Sequence, residues 1–93
     1  MEILENEKNM TIIRDKKTFY LFSYNCKIAI YNTDTESLAI HKNYWNYSQT
    51  TTKHFKHFVN NYTAYTYETK QQFQKLVEEK QKSDFKIYET TNL

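Results

Sequence analysis

Residues 18–31 read Thr-Phe-Tyr-Leu-Phe-Ser-Tyr-Asn-Cys-Lys-Ile-Ala-Ile-Tyr, and this stretch decides the fold. Aromatic and β-branched residues dominate it, and they favour strands because they pack well on a pleated surface. Residues 18–24 therefore predict one strand and residues 27–31 its partner. Asn25 and Cys26 lie where a two-residue hairpin turn would fall. The stretch thus predicts an antiparallel hairpin.

The segments on either side extend this hairpin. Ser37–His41 predicts a third strand, in which Leu38 and Ile40 would share a face. The first half of the chain is therefore expected to be an antiparallel meander of about three strands. Residues 1–9 mix charges with single apolar residues and are interpreted as a loosely held lead or a short edge strand.

After this segment, the apolar residues no longer recur at every second position but at an average spacing of about 3.6 residues. Phe55, Phe58, Val59 and Tyr62 follow the spacing i, i+3, i+4 and i+7, which is typical of an amphipathic helix. Ser48 or Thr50 is expected to cap the first turn of this helix.

A second helix is predicted over residues 69–82, where Phe73, Leu76 and Val77 form the apolar stripe. Thr69 and Gln72 have the spacing of a capping box. Residues 63–68 and the alternation of Phe85, Ile87 and Glu89 each suggest a short later strand, and residues 90–93 suggest a tail. The predicted fold is α+β in one domain over residues 1–93, with an antiparallel sheet packed against two amphipathic helices.

The chain contains no Gly and no Pro among its 93 residues. A phosphate-binding loop, a dinucleotide fingerprint and a nucleophile elbow all need Gly, because only a residue without Cβ allows such close backbone approach or so sharp a turn. Left-handed turn positions are therefore expected at Asn and Asp. The candidates are Asn25, Asn32, Asp34, Asn43, Asn46, Asn60 and Asn61.

The composition also indicates a compartment and an origin. Cys26 is the single cysteine, so no internal disulfide forms, and the N-terminal residues lack an apolar run long enough for a signal or a membrane span. We expect a cytoplasmic protein that does not enter the membrane.

Arg14 is the only Arg against twelve Lys, while Gly and Pro are absent. These preferences follow AT-rich codons and suggest a low-GC bacterium or its phage.

A basic and aromatic segment occupies the middle of the chain. From Ser37 to Tyr67 there is no acidic residue, and the segment holds all three histidines and eight aromatic residues. Such a segment suggests a surface for a negatively charged or protein partner. The residues expected to form this contact surface are Tyr44, Trp45, Tyr47, Lys53, His54 and Lys56. The alternative interpretation places most of these rings in the core.

Two catalytic arrangements were weighed and set aside. His54 and His57, with His41 as a third ligand, have a spacing that could share a metal ion, but the sequence lacks an HExxH motif and offers one Cys. Cys26 and a histidine could form a nucleophile and its base, but no Gly-rich oxyanion loop accompanies them. We therefore expect no catalytic residue, no metal and no cofactor.

Two segments resemble a family. Residues 23–25 (Ser-Tyr-Asn) lead into residues 28–30 (Ile-Ala-Ile), and residues 47–54 read Tyr-Ser-Gln-Thr-Thr-Thr-Lys-His. Together they resemble a domain of unknown function found in small proteins of phages and mobile elements, over about residues 18–62. Thr52 replaces the Ser or Gly that other members often have before the Lys. The resemblance implies a phage or mobile-element origin and adds no catalytic residue.

The second segment has two interpretations. Ser48, Thr50 and Thr51 can accept hydrogen bonds from the free N–H groups at the start of a helix, which is a capping role. The same N-terminus, with Lys53 and His54 nearby, could hold an anion. Capping is favoured because every helix needs it.

These observations lead to two functional hypotheses. The first is a non-enzymatic phage accessory protein that binds and inhibits a host protein, for example a defence nuclease, in the manner of an anti-CRISPR protein. The second is that the basic aromatic region over residues 37–67 binds single-stranded nucleic acid. The oligomeric state is left open between a monomer and a homodimer.

Overall fold

The computed structural model describes residues 1–83 and 86–93. Over these residues the chain has the predicted α+β fold, with one mixed six-stranded sheet and two helices. In chain order the elements are β1 (Glu2–Glu7), β2 (Met10–Asp15), β3 (Thr18–Ser23), β4 (Cys26–Asn32), β5 (Ser37–His41), α1 (Gln49–Tyr62), α2 (Lys70–Ser83) and β6 (Ile87–Thr90).

The strands lie in the sheet in the order in which they occur in the chain. Strands β1 to β5 are antiparallel neighbours, so the predicted meander is part of a longer one that includes β2, which the sequence interpretation missed. Strand β6 pairs with β5 in parallel, and Leu38 lies opposite Ile87. The sheet is therefore mixed and not antiparallel throughout, because the chain passes through both helices before it returns beside β5.

The two ends of the chain both take part in the sheet. Of the two interpretations of residues 1–9, the short edge strand is confirmed, because Glu2–Glu7 pairs with β2 and Ile3 lies opposite Ile13. The predicted tail begins later, since Thr90 belongs to β6 and its Oγ1 accepts a hydrogen bond from the backbone N–H of Asn92. The last predicted strand is confirmed from Ile87, while Phe85 lies outside the described residues.

Both helices have the caps that the sequence predicts. Ser48 is the N-cap of α1 and accepts from the N–H of Thr51 at 3.1 Å. Before α2, Thr69 Oγ1 accepts from the N–H of Gln72, and the Gln72 side chain accepts in turn from the N–H of Thr69. These reciprocal bonds satisfy donors that a helix start otherwise leaves free.

The core lies between the helices and one face of the sheet. The centre is aromatic: the ring of Trp45 lies 5.2 Å from that of Phe55 and 5.1 Å from that of Phe73. The fully or nearly buried apolar residues of this core are Met10, Ile12, Leu21, Ile28, Ala29, Tyr31, Leu38, Ile40, Trp45, Phe55, Phe58, Val59, Tyr65, Tyr67, Phe73, Val77 and Ile87.

The strand predicted over residues 63–68 is wrong. Tyr65 and Tyr67 are both buried, as their alternation suggested, but the backbone bonds to side chains and not to another strand. The N–H of Tyr67 donates to Asn60 Oδ1, and the N–H of Tyr65 donates to Thr63 Oγ1. The segment is an extended link between α1 and α2 that these side chains hold in place.

The tight turns use residues other than those expected. The β3–β4 turn consists of Tyr24 and Asn25, with φ of 52° and 65°, whereas Cys26 already belongs to β4. Both positions are left-handed, as a two-residue hairpin turn requires. Of the seven predicted left-handed residues only Asn25 is one, and the others in the described chain are Asn9, Lys16, Tyr24 and Glu36. A chain without Gly therefore places ordinary residues in strained backbone conformations.

This strain predicts a stability gain. Lys16 has φ of 59°, so Lys16→Gly should raise the free energy of unfolding by about 0.5–1 kcal/mol, because Gly adopts the left-handed region without a Cβ clash. Urea unfolding measures the change. Lys17→Gly in the same turn is the control and should lower stability, since it adds freedom to the unfolded chain and removes the exposed ion pair of Lys17 with Asp34. A loss of stability in Lys16→Gly would contradict the strain argument.

Strand β1 is fastened to the end of α1 by one carboxylate. Glu5 Oε2 accepts from the hydroxyl of Tyr62 and lies 2.7 Å from His57 Nε2. The Tyr62 hydrogen bond, followed by the bond and charge of His57, lowers the pKa of Glu5 although burial opposes the shift. The same contact, after burial, raises the pKa of Tyr62 to about 12.

Glu5 should therefore stabilise the fold only when it is ionised. Because its folded pKa lies below 4.5, its contribution is present above that pH and is lost as the pH falls through the folded pKa. Glu5→Gln should lower the free energy of unfolding at pH 7 by about 1 kcal/mol, since a charged acceptor is stronger than a neutral one. The difference from the unmodified protein, measured by urea unfolding, should shrink as the pH falls below 4.5 through the folded pKa. A difference that does not change with pH would contradict the charge dependence.

Candidate functional site

A chain of polar side chains joins the sheet to the start of α1. Ser23 at the end of β3 is 2% exposed, and its Oγ lies 2.9 Å from His54 Nδ1 and 3.2 Å from Thr51 Oγ1. Ser48 Oγ donates to Thr51 Oγ1 at 3.2 Å. The sheet and the helix are thus connected through four side chains from two distant segments.

One set of donors and acceptors satisfies every hydroxyl of this chain of hydrogen bonds. In it Ser48 donates to Thr51, Thr51 donates to Ser23, and Ser23 donates to His54 Nδ1 of a neutral imidazole with its proton on Nε2. Burial lowers the pKa of His54, an effect that Glu7 opposes and His57 reinforces, so the neutral form prevails at pH 7.

A surface pocket opens beside this network. Its volume is about 490 Å³, and its lining consists of Ser23, Tyr24, Cys26, Ile28, Tyr44, Tyr47, Ser48 and Thr51. Rings, a thiol and an aliphatic side chain make most of the wall apolar, and the hydroxyls contribute a few polar points. Such a lining is typical of binding sites.

Three tyrosines form the rim of the pocket. Tyr24, Tyr44 and Tyr47 are 52%, 41% and 74% exposed. The rings of Tyr44 and Tyr47 meet edge to face at 5.7 Å, and the ring of Tyr44 lies 4.3 Å from that of His41. The left-handed turn carries Tyr24 on the other side, where its ring lies 6.3 Å from that of His54.

Backbone hydrogen bonds between residues three apart in sequence position Tyr44 and Tyr47 on this rim. The N–H of Tyr44 donates to the carbonyl of His41, and the N–H of Tyr47 donates to the carbonyl of Tyr44. The chain therefore turns sharply after β5 and brings both rings to the start of α1. Trp45, between them, points into the core, where it is 4% exposed.

The predicted contact surface is only partly brought together. Tyr44 and Tyr47 line the pocket and His54 lies behind it, but Trp45 must be corrected from a surface residue to a core residue. Lys53 is exposed on α1, and Lys56 forms an ion pair with Glu68 at 3.3 Å. These two lysines are not part of the pocket lining.

The basic aromatic segment over residues 37–67 is not one continuous surface. Five of its eight aromatic residues are buried, and these are Trp45, Phe55, Phe58, Tyr65 and Tyr67. Ring burial explains the aromatic content, so the core interpretation applies to most of the segment. Of the predicted anion-site residues, Ser48 and Thr51 act in the cap and line the pocket, whereas Thr50 is exposed.

Half of the pocket was missed by the sequence interpretation. Ser23, Tyr24, Cys26 and Ile28 come from the β3–β4 hairpin, which was not included in the predicted contact surface. The family resemblance could have indicated these residues, because its two segments, residues 23–30 and 47–54, contain most of the pocket lining. The structure places these segments against each other through the bond between Ser23 and His54.

The histidines do not form a metal centre. Among residues 1–83 and 86–93, no three His, Cys, Asp or Glu side chains are placed to share a metal ion. His54 contacts Ser23, His57 contacts Glu5, and His41 Nδ1 accepts from the N–H of Asn43. His54 bonds Ser23 and not Cys26, whose pairing with a histidine was considered from the sequence and set aside. In the part of the chain that is described, no helix is long and apolar enough to cross a membrane.

Fold and pocket together define a small α+β domain with a tyrosine-rimmed surface pocket. The chain belongs to a family of unknown function, DUF8033, whose model matches residues 2–75. The matched region contains β1 to β5, α1 and the beginning of α2, and hence every residue that lines the pocket. Searches of curated proteins and of solved structures gave no significant match.

The His54 network predicts a loss of stability in acid. The unfolded chain binds a proton near pH 6.5, whereas the folded His54 binds it only at lower pH, so stability falls as the pH drops below 6.5 through the folded pKa. His54→Gln should reduce this slope in urea unfolding between pH 7 and 5. His41→Gln serves as the control and should keep it. A His54 pKa at or above 6.5 by NMR would contradict the assignment.

Proposed function

We propose that this chain is a non-enzymatic binding protein that inhibits a host protein, in the manner of a phage accessory protein. The observation that carries the proposal is the pocket rimmed by Tyr24, Tyr44 and Tyr47. The proposed target is a bacterial defence nuclease, which makes the chain an anti-CRISPR-like protein that acts in the host cytoplasm.

The rim has the properties of a protein-binding surface. Tyrosine brings a large contact area at a low cost in side-chain entropy, and exposed tyrosines are enriched among the residues that dominate binding energies. The pocket between them can receive an apolar side chain of the partner, while the hydroxyls of Ser48 and Thr51 offer polar contacts at its wall. A central anchor in a pocket with an aromatic rim is a common arrangement of interfaces.

The geometry around Ser23 favours binding over catalysis. Its Oγ lies within hydrogen-bond distance of His54 Nδ1, but the serine is 2% exposed and Thr51 Oγ1 lies at 3.2 Å on its other side. A nucleophile must reach its substrate, whereas this hydroxyl is enclosed by the residues that it joins. The network therefore serves to hold the pocket wall.

The proposed origin and target rest on the sequence. The absence of Gly and Pro, and twelve Lys against one Arg, follow AT-rich codons. The resemblance of residues 23–30 and 47–54 to proteins of phages and mobile elements points the same way. A small phage protein without its own chemistry acts by occupying a host protein.

Nucleic-acid binding is the second candidate, and fewer observations support it. Lys42 and Lys53 are exposed near the rim, where bases could stack on Tyr44 and Tyr47. However, the formal net charge is only +2 and Lys56 is paired with Glu68. Affinity from phosphate neutralisation scales with the number of free cationic contacts.

Affinity capture from an infected low-GC bacterium distinguishes the two candidates. The tagged protein is recovered with and without nuclease treatment and its partners are identified by mass spectrometry. One stoichiometric host protein that survives nuclease treatment supports inhibition. If the captured material disappears on nuclease treatment and binding to single-stranded DNA weakens steeply with salt, the second candidate replaces the first.

The rim predicts the effect of a single substitution on the captured complex. Tyr47→Ala should weaken binding at least tenfold, because truncation of an exposed anchor at an interface costs about 1–2 kcal/mol or more. Titration calorimetry with the purified partner measures it. Gln71→Ala is the control, since Gln71 is exposed on α2 and does not line the pocket, and it should bind normally. Equal affinities of both variants would rule out the pocket as the binding site.

A further inference from the structure

The face of the sheet that the helices leave uncovered carries a continuous apolar row. Each of the six strands contributes one residue to this row, and each residue lies directly opposite the next one on the neighbouring strand. The row, called the outer stripe below, consists of Ile3, Ile13, Tyr20, Ile30, Ala39 and Tyr88. Successive residues of a strand point to opposite faces, and the neighbours Ile12, Leu21 and Ile40 are fully buried on the core side.

Polar rows flank the outer stripe on both sides. On one side lie Asn6, Thr11 and His41, with Phe22 and Lys27 between them; on the other lie Asp15, Thr18, Asn32 and Ser37. An apolar centre within a polar border is the usual composition of a protein interface. Ile3 is 62% exposed and Tyr88 42%, so both ends of the stripe lie in solvent in the single chain.

The area of this face is sufficient for a dimer. Six strands spaced about 4.8 Å apart, with their side chains, give a face of roughly 30 by 20 Å, which is about 600 Å² for each copy. Two copies would bury about 1,200 Å², at the lower end of the range for specific interfaces. We propose that the chain forms a homodimer in which the outer stripes of two copies pack face to face.

The shape of the stripe selects one symmetry. Ala39 is its smallest residue, and a depression of about 390 Å³ lies beside it. Its lining includes Ile30 and Tyr88 of the stripe, polar residues of β3 to β6, and Asn92 and Leu93 of the C-terminal segment. A twofold axis parallel to the strands, passing between β3 and β4, places Ile13 of one copy over Ala39 of the other. An axis along the stripe would instead stack Ala39 on Ala39 and leave the depression empty, which close packing disfavours.

The same axis matches the polar row of Asp15, Thr18, Asn32 and Ser37, whereas in the other row it places Phe22 over Lys27. It places β2 over β5 and β3 over β4 of the second copy, so Asp15 faces Ser37 and Thr18 faces Asn32. Each carboxylate, hydroxyl and amide then meets a group able to hydrogen-bond with it, and no two carboxylates meet. Edge pairing through β1 is less favourable, because its exposed Glu2 and Glu7 would approach those of the second copy.

Sedimentation equilibrium of the full chain tests the dimer. The unmodified protein should be a dimer at 0.1–0.2 mM, a range of about ten times the dissociation constant expected for a small interface. Ile13→Lys should raise the dissociation constant at least about 100-fold, because each dimer would bury two unpaired ammonium groups. Gln74→Lys adds the same charge on the exposed side of α2 and should leave the dimer intact.

Folding and geometry are checked separately. Ile13 is half-buried in the single chain, so Ile13→Lys should retain the circular dichroism spectrum and a cooperative melt. In a Cys26→Ser background, Ile13→Cys with Ala39→Cys should be joined between copies by a short bis-maleimide. Within one chain, Ile13 and Ala39 lie three strands apart, at a distance of about 14 Å. A linker shorter than this distance therefore joins them only between two copies.

Three results would overturn the homodimer. The unmodified chain could sediment as a monomer throughout this range, or its dimer could persist in Ile13→Lys, which would locate the interface elsewhere. A monomer whose captured host protein is lost in Ile13→Lys would show that a foreign protein covers the stripe. None of these outcomes depends on Tyr47, so the dimer and the pocket can fail independently.

Discussion

The hydroxyl of Ser23 lies beneath α1, and its burial fixes how the helix packs on the sheet. A buried hydroxyl without a partner would cost roughly 1–3 kcal/mol, and here Thr51 and His54 of the first two turns of α1 provide the partners. A rotation or shift of α1 would break these contacts as well as the packing of Phe55, Phe58 and Val59. The pocket lies at the same junction, so its shape depends on this polar connection more than on the core.

Most elements of the fold could be predicted because the hydrophobic period specifies them. Strand β5 and the caps of both helices follow from local signals alone. Strand β2 also has a period of two, with Met10 and Ile12 buried, but charged turns on either side obscured it. The parallel pairing of β6 could not be predicted, since nothing local to Ile87 records which strand it will join.

The site was predictable to the extent that it followed from neighbours in sequence. Tyr47 and Ser48 were found because they precede a helix, whereas Trp45 was misplaced because composition does not tell which of three adjacent rings faces the core. The partnership of Ser23 with His54 joins positions that are 31 residues apart and depends on the tertiary packing of α1. The left-handed Tyr24 escaped prediction for a related reason, since hairpin geometry overrides residue preference.

Strand β6 has a consequence for the way the molecule folds. It pairs Ile87 with Leu38 only after the chain has passed through both helices. Parallel pairing between residues so distant in sequence is slow, because the entropy of closing the intervening chain must be overcome first. Until then β5 presents a row of unpaired N–H and C=O groups, which can template strands of other molecules. Aggregation therefore competes kinetically with the docking of the last strand.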